Sequence, residues 1–568
     1  MHDRREMLAM FKNQTLNRTT CCLGVFLIVA TLLVGLYHEP LSCIASLCLL
    51  WMLWRNNGRR GEMQIPLTTT VIITFVIAGC YGLSTIWAVD HGMAIFGFVK
   101  FLPLPLFALT ATQLSGSQRT SLLQMIPWIG VGTTILTGAL GFFSKTAPYV
   151  FVNGRLSGTF QYPNTFALFL LVGIILLTTT PHKNYSWIAG IAVLAAGIAF
   201  TGSRTVFVLL ILSIALLCVF FKDRCIRFVL AGSGLLLILS TVIYTVVTGD
   251  IASLGRYLTI SLESSTLQGR LLYWQDALPI ILKHPFGLGY MGYNSLLGSF
   301  QTGVYSLTHV HNEALQLLLD IGWIPSMLFL CMMIRGAFSK TADLRNKMCI
   351  LIIFLHSLMD FDLQFPVIWF ALVLCLTEDT ATKTIYIRKG TLSAFVAIGC
   401  LCVYFGAVSS LYYIGNMELC SKIYPYHTQA NAVLLQQAAT PVETEEYADR
   451  ILKVNDASSL AWSAKARVAY ANGNFERVIQ YKEKAISLAR YAKEEYLDYF
   501  EMLWVGYQLY TQHGDTSSAE VCRQKLLSIP EMVGEVLEAT SKRAWKITDK
   551  PDLTLPDDFK QILQMLQR

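Results

Sequence analysis

Long apolar stretches separated by polar connections fill the first 414 residues of the chain. A helix of about 20 apolar residues crosses the hydrocarbon core of a bilayer, and somewhat shorter stretches do so within bundles. The pattern therefore predicts an all-α polytopic membrane bundle of about 12 to 13 spans. The predicted spans are 21–37, 40–54, 67–88, 92–110, 122–143, 163–180, 187–202, 205–221, 228–247, 311–334, 348–362, 364–377 and 391–413.

A different pattern, richer in charge, begins after residue 414. Residues 421–568 hold 38 of the 81 charged residues of the chain. A helix-like segment at 461–471 is followed by a Gly-Asn turn, the aromatic Phe475 and a second helix-like segment to Ala489. This is the tetratricopeptide pattern, which has a period of about 34 residues. Further copies are predicted at 497–527, with the last helix ending at Pro530, and, in degenerate form, at 427–455.

These two patterns predict two domains. Residues 1–414 form a membrane domain with a large outer loop at about 248–310, and residues 415–568 form a tetratricopeptide-like helical domain. Helix pairs of that kind bury their apolar faces by stacking, and their concave surface commonly binds other proteins. We therefore expect a protein partner at the C-terminal domain.

Composition agrees with a membrane protein. The chain is 54% hydrophobic and 14% charged, whereas soluble proteins are about a quarter charged. The net charge of +7 requires no nucleic acid, because basic residues beside membrane spans set orientation. The sequence has 14 cysteines without a C-x-x-C pair, and it has no nucleotide-binding or HExxH motif. We expect no cofactor, no metal and no nucleic-acid partner.

Basic clusters between the spans predict the orientation of the bundle. Under the positive-inside rule these clusters lie in the cytoplasm, which places the N-terminus inside. An odd number of spans then places the C-terminal domain outside. The outer side receives the polar segments 90–91, 144–162, 201–204, 248–310 and 356–366.

Three arginines in these outer segments, Arg155, Arg204 and Arg270, are candidate anion ligands. A guanidinium is always charged and its planar donors match phosphate oxygens, so the three together predict a receptor for a membrane-anchored diphosphate. A simpler interpretation, contact with lipid headgroups, stays open and is strongest for Arg155. It is weaker for Arg204, because a turn so short keeps the side chain near the membrane.

His311 lies in a His-Asn-Glu sequence at the end of the outer loop, where an apolar stretch begins again. A histidine there is a candidate general base that takes a proton from a hydroxyl. Glu313 or Asp360 would orient it or stabilise its cation, and Asn312 and His356 are further candidate contacts. The simpler alternative is that His311 only caps the helix that begins there.

His356, Asp360 and Asp362 have side chains that could in principle bind a metal. Aspartates beside the end of a membrane span are more often helix-end and packing residues, so we predict no metal here. His309, two residues before His311, is expected to be a bystander.

Together these motifs resemble the bacterial O-antigen ligase-like superfamily, which includes O-antigen ligases, Wzy-type polysaccharide polymerases and protein O-oligosaccharyltransferases. Each matching piece is weak alone, and their order together with the large loop makes the set more specific. The pieces are RLSGTFQYPN (155–164), TGSR (201–204), GRLLYWQDAL (269–278), HPFGLG (284–289), HNEALQLLLDIG (311–322) and HSLMDFDL (356–363).

The resemblance implies a GT-C-like glycosyltransferase of the bacterial plasma membrane. It implies metal-independent transfer of a glycan from an undecaprenyl-diphosphate carrier to an acceptor glycan, lipid or protein, with inversion at the anomeric carbon and with membrane lipids around it. Arg204 and Arg270 would bind the diphosphate and stabilise its departure, and His311 would deprotonate the acceptor hydroxyl. The remaining candidates would be supporting or substrate-side groups: Arg155, Asn312, Glu313, His356 and Asp360.

Alternatives stay open at this point. A ligase and a polymerase share these motifs and differ only in the acceptor. A polysaccharide or lipid transporter would place paired charges near the middle of the bilayer and often show two related halves. The candidate charges gather at one face instead, and the two halves of the sequence show no similarity. A membrane-anchored scaffold would leave the arginines and the histidine unexplained.

Overall fold

The computed structural model of the protein describes residues 18–57, 63–179, 185–220, 264–376, 383–387 and 391–567. Most of these residues are helical, and the strands among them form two small antiparallel sheets. The predicted all-α class is confirmed. The predicted span at 228–247 and the beginning of the predicted outer loop, 248–263, lie outside the described residues.

The helices up to residue 413 form the membrane region and its large loop, which keeps the name outer loop from its predicted position. They are α1 (Arg18–Leu32), α2 (Glu39–Asn57), α3 (Thr69–Ser84), α4 (His91–Phe101), α5 (Pro103–Ala111), α6 (Gly116–Leu140), α7 (Ala147–Val150), α8 (Pro163–Thr178), α9 (Tyr185–Thr201), α10 (Arg204–Phe220), α11 (Ser265–Lys283), α12 (Gly292–Phe300), α13 (Glu313–Ile321), α14 (Trp323–Ala337), α15 (Leu344–Ser357), α16 (Pro366–Leu376) and α17 (Thr391–Tyr413). The paired strands are β1 (Met63–Leu67) with β4 (Lys383–Ile387), and β2 (Phe151–Val152) with β3 (Arg155–Leu156).

Many of these helices are strongly apolar. Three helical stretches are long and apolar enough to cross a membrane, namely His91–Ala111, Gly116–Leu140 and Ser393–Tyr413. Shorter apolar helices accompany them within the described residues: α1, α3, α8, α9, α10, α14 and α16. Such a set of apolar helices is typical of a polytopic membrane protein.

Two predicted spans are interrupted in the structure. The span predicted at 92–110 consists of α4 and α5, because Pro103 has no N–H to continue the first helix. The span predicted at 311–334 is divided at Gly322, whose φ of 83° ends α13. A Cβ at this position would lie 2.3 Å from the carbonyl oxygen of Pro285, so glycine is required.

Residues 284–289, which carry the HPFGLG sequence, form backbone hydrogen bonds with the interruption between α13 and α14. The N–H of Leu288 donates to the carbonyl of Leu319 (2.6 Å), and the N–H of Trp323 donates to the carbonyl of Pro285 (2.9 Å). Backbone groups freed by the interruption are thereby paired, as apolar surroundings require. This part of the outer loop is therefore joined to the helical bundle.

Helices α8 and α16 lie at the centre of the bundle. Nearly every residue of α8 and every residue of α16 is buried. Both helices begin with a proline, Pro163 and Pro366, whose fixed φ suits the first helical position. Tyr162, just before α8, donates its hydroxyl to Asp360, just before α16. The two central helices thus start at the same end of the bundle and bring polar residues together there.

The C-terminal region is a stack of helices in which each of α18 to α23 packs on the next one along the chain. The helix predicted to end at Pro530 continues to Glu538, so that predicted boundary is wrong. Ile529 and Val533, on either side of the proline, are buried, and their packing outweighs the backbone hydrogen bond that proline removes. The tetratricopeptide assignment stays a prediction. The helices are α18 (Met417–Ile423), α19 (Thr428–Gln437), α20 (Pro441–Leu452), α21 (Ser459–Ala471), α22 (Phe475–Leu488), α23 (Lys493–Gln512), α24 (Thr516–Glu538) and α25 (Asp557–Leu566).

The C-terminal region docks on the membrane region through buried polar contacts. The carboxylate of Asp90, which caps α4, accepts hydrogen bonds from Thr428 Oγ1 (2.8 Å) and Asn455 Nδ2 (3.0 Å). The N–H of His91 donates to the carbonyl of Val454 (2.9 Å). These contacts fix the stack against the start of α4.

The substitution Gly92→Ala is expected to weaken this docking. A Cβ at position 92 would lie 2.0 Å from the carbonyl oxygen of Tyr426, and such overpacking typically costs about 1 to 3 kcal/mol. The matched control is Gly79→Ala in α3, where a Cβ meets nothing within 4 Å and alanine favours the helix. Thermal unfolding in one detergent should show a lower melting temperature for Gly92→Ala alone. Equal melting temperatures would contradict the close approach described.

Candidate active site

The carboxylate of Asp360 lies at the centre of the candidate site. It belongs to the loop between α15 and α16 and is 1% exposed. Its Oδ2 accepts hydrogen bonds from Arg270 Nη2 (3.0 Å) and Asn164 Nδ2 (2.8 Å). Its Oδ1 accepts one from the hydroxyl of Tyr162 (2.7 Å) and faces Nδ1 of His311 (3.1 Å). One buried charge thus joins residues from distant parts of the chain.

Arg155 extends this network toward the turn between α9 and α10. The β2–β3 hairpin presents its side chain, whose Nη2 donates to Asn164 Oδ1 and whose Nε donates to the carbonyl of Thr201, both over 2.6 Å. A positive charge at the C-terminal end of α9 also suits the helix dipole. Arg204 begins α10 directly after this turn, which brings it to the same cavity as Arg155.

The backbone fixes the direction of His311. Its φ of 52° lies in the left-handed region, which residues other than glycine rarely adopt. The next residue, Asn312, caps α13 by accepting a hydrogen bond from the N–H of Leu315 (3.1 Å). The helix cap is therefore formed by Asn312, and the unusual backbone conformation leaves the imidazole of His311 directed at Asp360.

The contact with Asp360 assigns different roles to the two ring nitrogens of His311. A carboxylate beside Nδ1 keeps the proton on that nitrogen and leaves Nε2 as a proton acceptor. Of the two residues considered for orienting the histidine, the structure brings Asp360 to it, whereas Glu313 accepts a hydrogen bond from Gln364 (2.8 Å). The side chain of His311 is 21% exposed and lines a cavity.

Electrostatics keep Asp360 ionised. Burial alone would raise the pKa of its carboxyl, but the Arg270 guanidinium and the hydrogen bond with His311 lower that pKa well below its usual range. Burial lowers the pKa of the His309 imidazole far below its ordinary value, and the charge of Lys100 lowers it further. His309 is therefore neutral, and its Nε2 lies 3.2 Å from the hydroxyl of Tyr37.

Three of the predicted substrate contacts are buried and line neither of the cavities described below. His356 is fully buried and pairs through Nδ1 with Asp362 Oδ2 (2.6 Å). Glu313 is bonded to Gln364, and Asn312 caps a helix. The resemblance implied that these residues are supporting or substrate-side groups, and the structure gives each of them a partner within the protein. Within the described residues, no group of three or more His, Cys, Asp or Glu side chains could hold a metal ion.

A cavity of about 430 Å³ opens beside the arginines. Its charged lining consists of Arg155, Arg204 and Arg270, and much of the remainder is apolar, including Val208 and Met359. Positive charge next to hydrocarbon surface suits an anionic lipid headgroup together with the first part of its chain.

A second cavity, of about 320 Å³, lies on the other side of Arg270. Arg270, Asn164 and Thr266 line both cavities, so the two spaces adjoin there. The second cavity also contains His311, and part of its lining comes from the C-terminal region. Its lining residues are Tyr162, Asn164, Ser265, Thr266, Arg270, Tyr273, Val304, Tyr305, His311, Ile547, Thr548 and Asp549.

The structure thus gathers part of the predicted set and adds residues to it. The predicted residues that meet here are Arg155, Arg204, Arg270, His311 and Asp360. Tyr162 and Asn164 belong to the RLSGTFQYPN piece and had no predicted role, but both contact Asp360; two polar side chains directly before an apolar span are a usable signal. Residues 547–549 were not predicted, because their position depends on how the C-terminal region docks.

Residues 189–330, about a quarter of the chain, match the family described as O-antigen ligase. No curated protein and no solved structure matches the chain. The matched region includes Arg204, Arg270 and His311. The fold and the family match support a membrane enzyme of the glycosyltransferase-like ligase and polymerase class. The predicted resemblance to the O-antigen ligase-like superfamily is confirmed over residues 189–330.

The substitution Asp360→Asn is expected to reduce both stability and activity. It leaves the 11% exposed side chain of Arg270 without its counter-charge, and breaking a buried pair in this way typically costs about 3 to 5 kcal/mol. Because the folded-state pKa of Asp360 is lowered, its contribution is present above the unfolded pKa of about 3.9 and is lost as the pH falls through the folded value.

The control for this substitution is Asp343→Asn. Asp343 is 69% exposed and lies 3.5 Å from Arg345, a pair worth at most about 1 kcal/mol. Thermal unfolding of both variants at neutral pH, in the same detergent, provides the comparison. An Asp360→Asn protein as stable as Asp343→Asn would rule out a central role for the buried carboxylate.

Proposed function

We propose that the protein transfers a glycan from an undecaprenyl-diphosphate carrier to an acceptor hydroxyl at the outer face of the bacterial plasma membrane. The observation that carries this proposal is the position of Arg270 between the arginine-lined cavity and the cavity that contains His311. A departing diphosphate requires positive charge, and an acceptor hydroxyl requires a base. A site at the outer face corresponds to the orientation predicted from the basic clusters. In that orientation the N-terminus lies in the cytoplasm, and the C-terminal domain, a proposed tetratricopeptide-like unit, lies outside.

The arginine-lined cavity is the proposed donor site. Arg155, Arg204 and Arg270 would bind the two phosphates, since guanidinium groups match phosphate oxygens in shape and charge. The apolar lining, including Val208 and Met359, would accommodate the first isoprene units of the carrier. Because Asp360 already holds Arg270 in place, little ordering is needed when the donor binds.

The proposed reaction is one inverting displacement. The acceptor oxygen forms a bond to the anomeric carbon while the bond from that carbon to the phosphate oxygen breaks. Nε2 of His311 takes the proton of the acceptor hydroxyl, and the electron pair of the broken bond leaves on the diphosphate beside Arg204 and Arg270. Asp360 stabilises the resulting imidazolium through Nδ1. The proton then passes to solvent from the partly exposed ring.

A Wzy-type polymerase is the alternative within the same class, with a growing polysaccharide as the acceptor. Analysis of carrier-linked glycans in a deletion strain separates the two. Loss of a ligase leaves long glycans on the carrier, whereas loss of a polymerase leaves single repeat units. Unchanged carrier-linked glycans and glycoconjugates would contradict both.

A transporter would require charged groups within the bundle, and the buried residues Glu39 and Lys100 are candidates. Glu39 accepts hydrogen bonds from the hydroxyls of Tyr290 (2.6 Å) and Tyr413 (2.8 Å), and Lys100 Nζ donates to the same Tyr290 (3.4 Å). Both charged residues are buried, and neither lines the two cavities described above. This cluster is therefore best explained as internal pairing between helices and the outer loop.

The substitution His311→Ala is expected to abolish transfer, because it removes the base and leaves the donor cavity intact. Loss of a general base typically lowers the rate by about 10²- to 10⁴-fold. Added imidazole should restore part of this activity, whereas it should not rescue Arg270→Ala. His284→Ala, at an exposed position of the outer loop, is the control. Undiminished glycan product from His311→Ala at matched expression would contradict the mechanism.

The substitution Arg204→Gln is expected to raise the KM for the carrier-linked glycan and to lower kcat. Both effects follow because the guanidinium would bind the diphosphate before the reaction and stabilise its charge during departure. Arg467→Gln in the C-terminal region, which replaces an exposed partner of Asp498, is the matched control. Initial rates at graded donor concentrations provide the test, and kinetics identical to the control would exclude Arg204 from the donor site.

A further inference from the structure

The C-terminal region supplies one wall of the cavity that contains His311. Ile547, Thr548 and Asp549 line this cavity together with residues of α11 and of the outer loop. They belong to residues 541–549, which follow α24 and are called the wall segment below. The site in the membrane domain is therefore enclosed by a segment far away in sequence.

Polar contacts hold the wall segment against the outer loop. The N–H of Ser541 donates to the carbonyl of Thr302 (2.9 Å). Arg543 Nη1 donates to Gln268 Oε1 of α11 (3.1 Å). At the cavity itself, Thr548 Oγ1 lies 3.0 Å from the hydroxyl of Ser265. The segment is thus attached at both of its ends.

Apolar packing fixes the middle of the wall segment. Ala544 is fully buried and Ile547 is 6% exposed, and both belong to one hydrophobic cluster with Leu272 and Tyr305. A Cβ at Gly303 would lie 2.7 Å from the Cβ of Ala544, so the outer loop and the segment are in close contact. A wall packed in this way is a fixed part of the cavity.

The lining of this cavity matches a polyhydroxyl ligand. Hydroxyl groups can both donate and accept hydrogen bonds, and aromatic rings offer flat apolar surface to a small molecule. The cavity volume of about 320 Å³ lies within the usual range for small-molecule sites. The hydroxyl-bearing lining residues are Tyr162, Ser265, Thr266, Tyr273, Tyr305 and Thr548. Tyr162 and Tyr305 already donate to Asp360 and Asp276, so their oxygens remain as acceptors.

We infer that the wall segment completes the acceptor site and that Asp549 binds a hydroxyl of an uncharged sugar there. This inference rests on the proposed transferase function. A carboxylate accepts strong hydrogen bonds from sugar hydroxyls and repels an anionic group at the same position. Asp549 is exposed to the cavity, so its carboxylate is accessible to a ligand. The C-terminal region thereby determines which acceptor reaches His311.

The test uses the full-length protein in membranes that contain its carrier-linked glycan and acceptor. Methyl glucoside and methyl glucuronide, which differ by one carboxylate, are compared as competitors of transfer. The glucoside should inhibit the natural protein more strongly than the glucuronide. Asp549→Lys should shift this ratio toward the glucuronide by roughly tenfold, as expected for reversing a nearby charge. Asp549→Asn should reduce the preference without reversing it.

The control is Asp558→Lys, which makes the same change at an exposed position of α25. Its inhibition ratio and its KM for the donor should equal those of the natural protein. An unchanged ratio in Asp549→Lys, or no competition by either glycoside in the natural protein, would overturn the inference while leaving the proposed transfer intact. Absence of any transfer by the natural protein would instead contradict the proposed function itself.

Discussion

The buried ion pair between Asp360 and Arg270 is the interaction on which the candidate site depends. A charge removed from water is costly unless it is paired and hydrogen-bonded, and here the carboxylate also meets Tyr162, Asn164 and His311. Helices α8, α11, α13 and α16 must therefore end or begin at one level for these contacts to form. The chemistry of the site therefore depends on where these helices begin and end in the bundle.

The same pair connects the matched family region with the rest of the chain. Residues 189–330 include Arg270 and His311, but the carboxylate that orients both lies beyond them at position 360. Arg155 lies before the matched region and reaches the same network through Asn164. The candidate site therefore extends beyond the region that matches the family. It includes the starts of the central helices α8 and α16, which lie before and after that region in the sequence.

Sequence patterns predicted the parts of this structure that depend on local composition. Apolar stretches identified the helical bundle, and the turn before Arg204 could be located because it is short and flanked by apolar segments. Hydropathy averages over single residues, so it did not reveal the interruption at Gly322 or the continuation through Pro530. Polarity at a span end likewise could not distinguish Asp360 at the centre of the site from His356, which is paired internally.

Contacts between distant segments were beyond prediction for a different reason. The wall segment carries no motif, and it reaches the cavity because the C-terminal region docks on the membrane region, both at Asp90 and through contacts of the segment itself. Nothing local in Thr548 or Asp549 indicates that position. Side chains of this kind become visible only when the tertiary structure is known.

The interrupted helix at Gly322 restricts how the proposed carrier-linked donor can reach the site. Residues 285–289 exchange main-chain hydrogen bonds with the unwound turn, so lifting this part of the loop would strand N–H and carbonyl groups in an oily interior. A hinged cover built from these residues is therefore energetically unfavourable. The proposed carrier-linked donor must reach the site without any movement of this part of the loop.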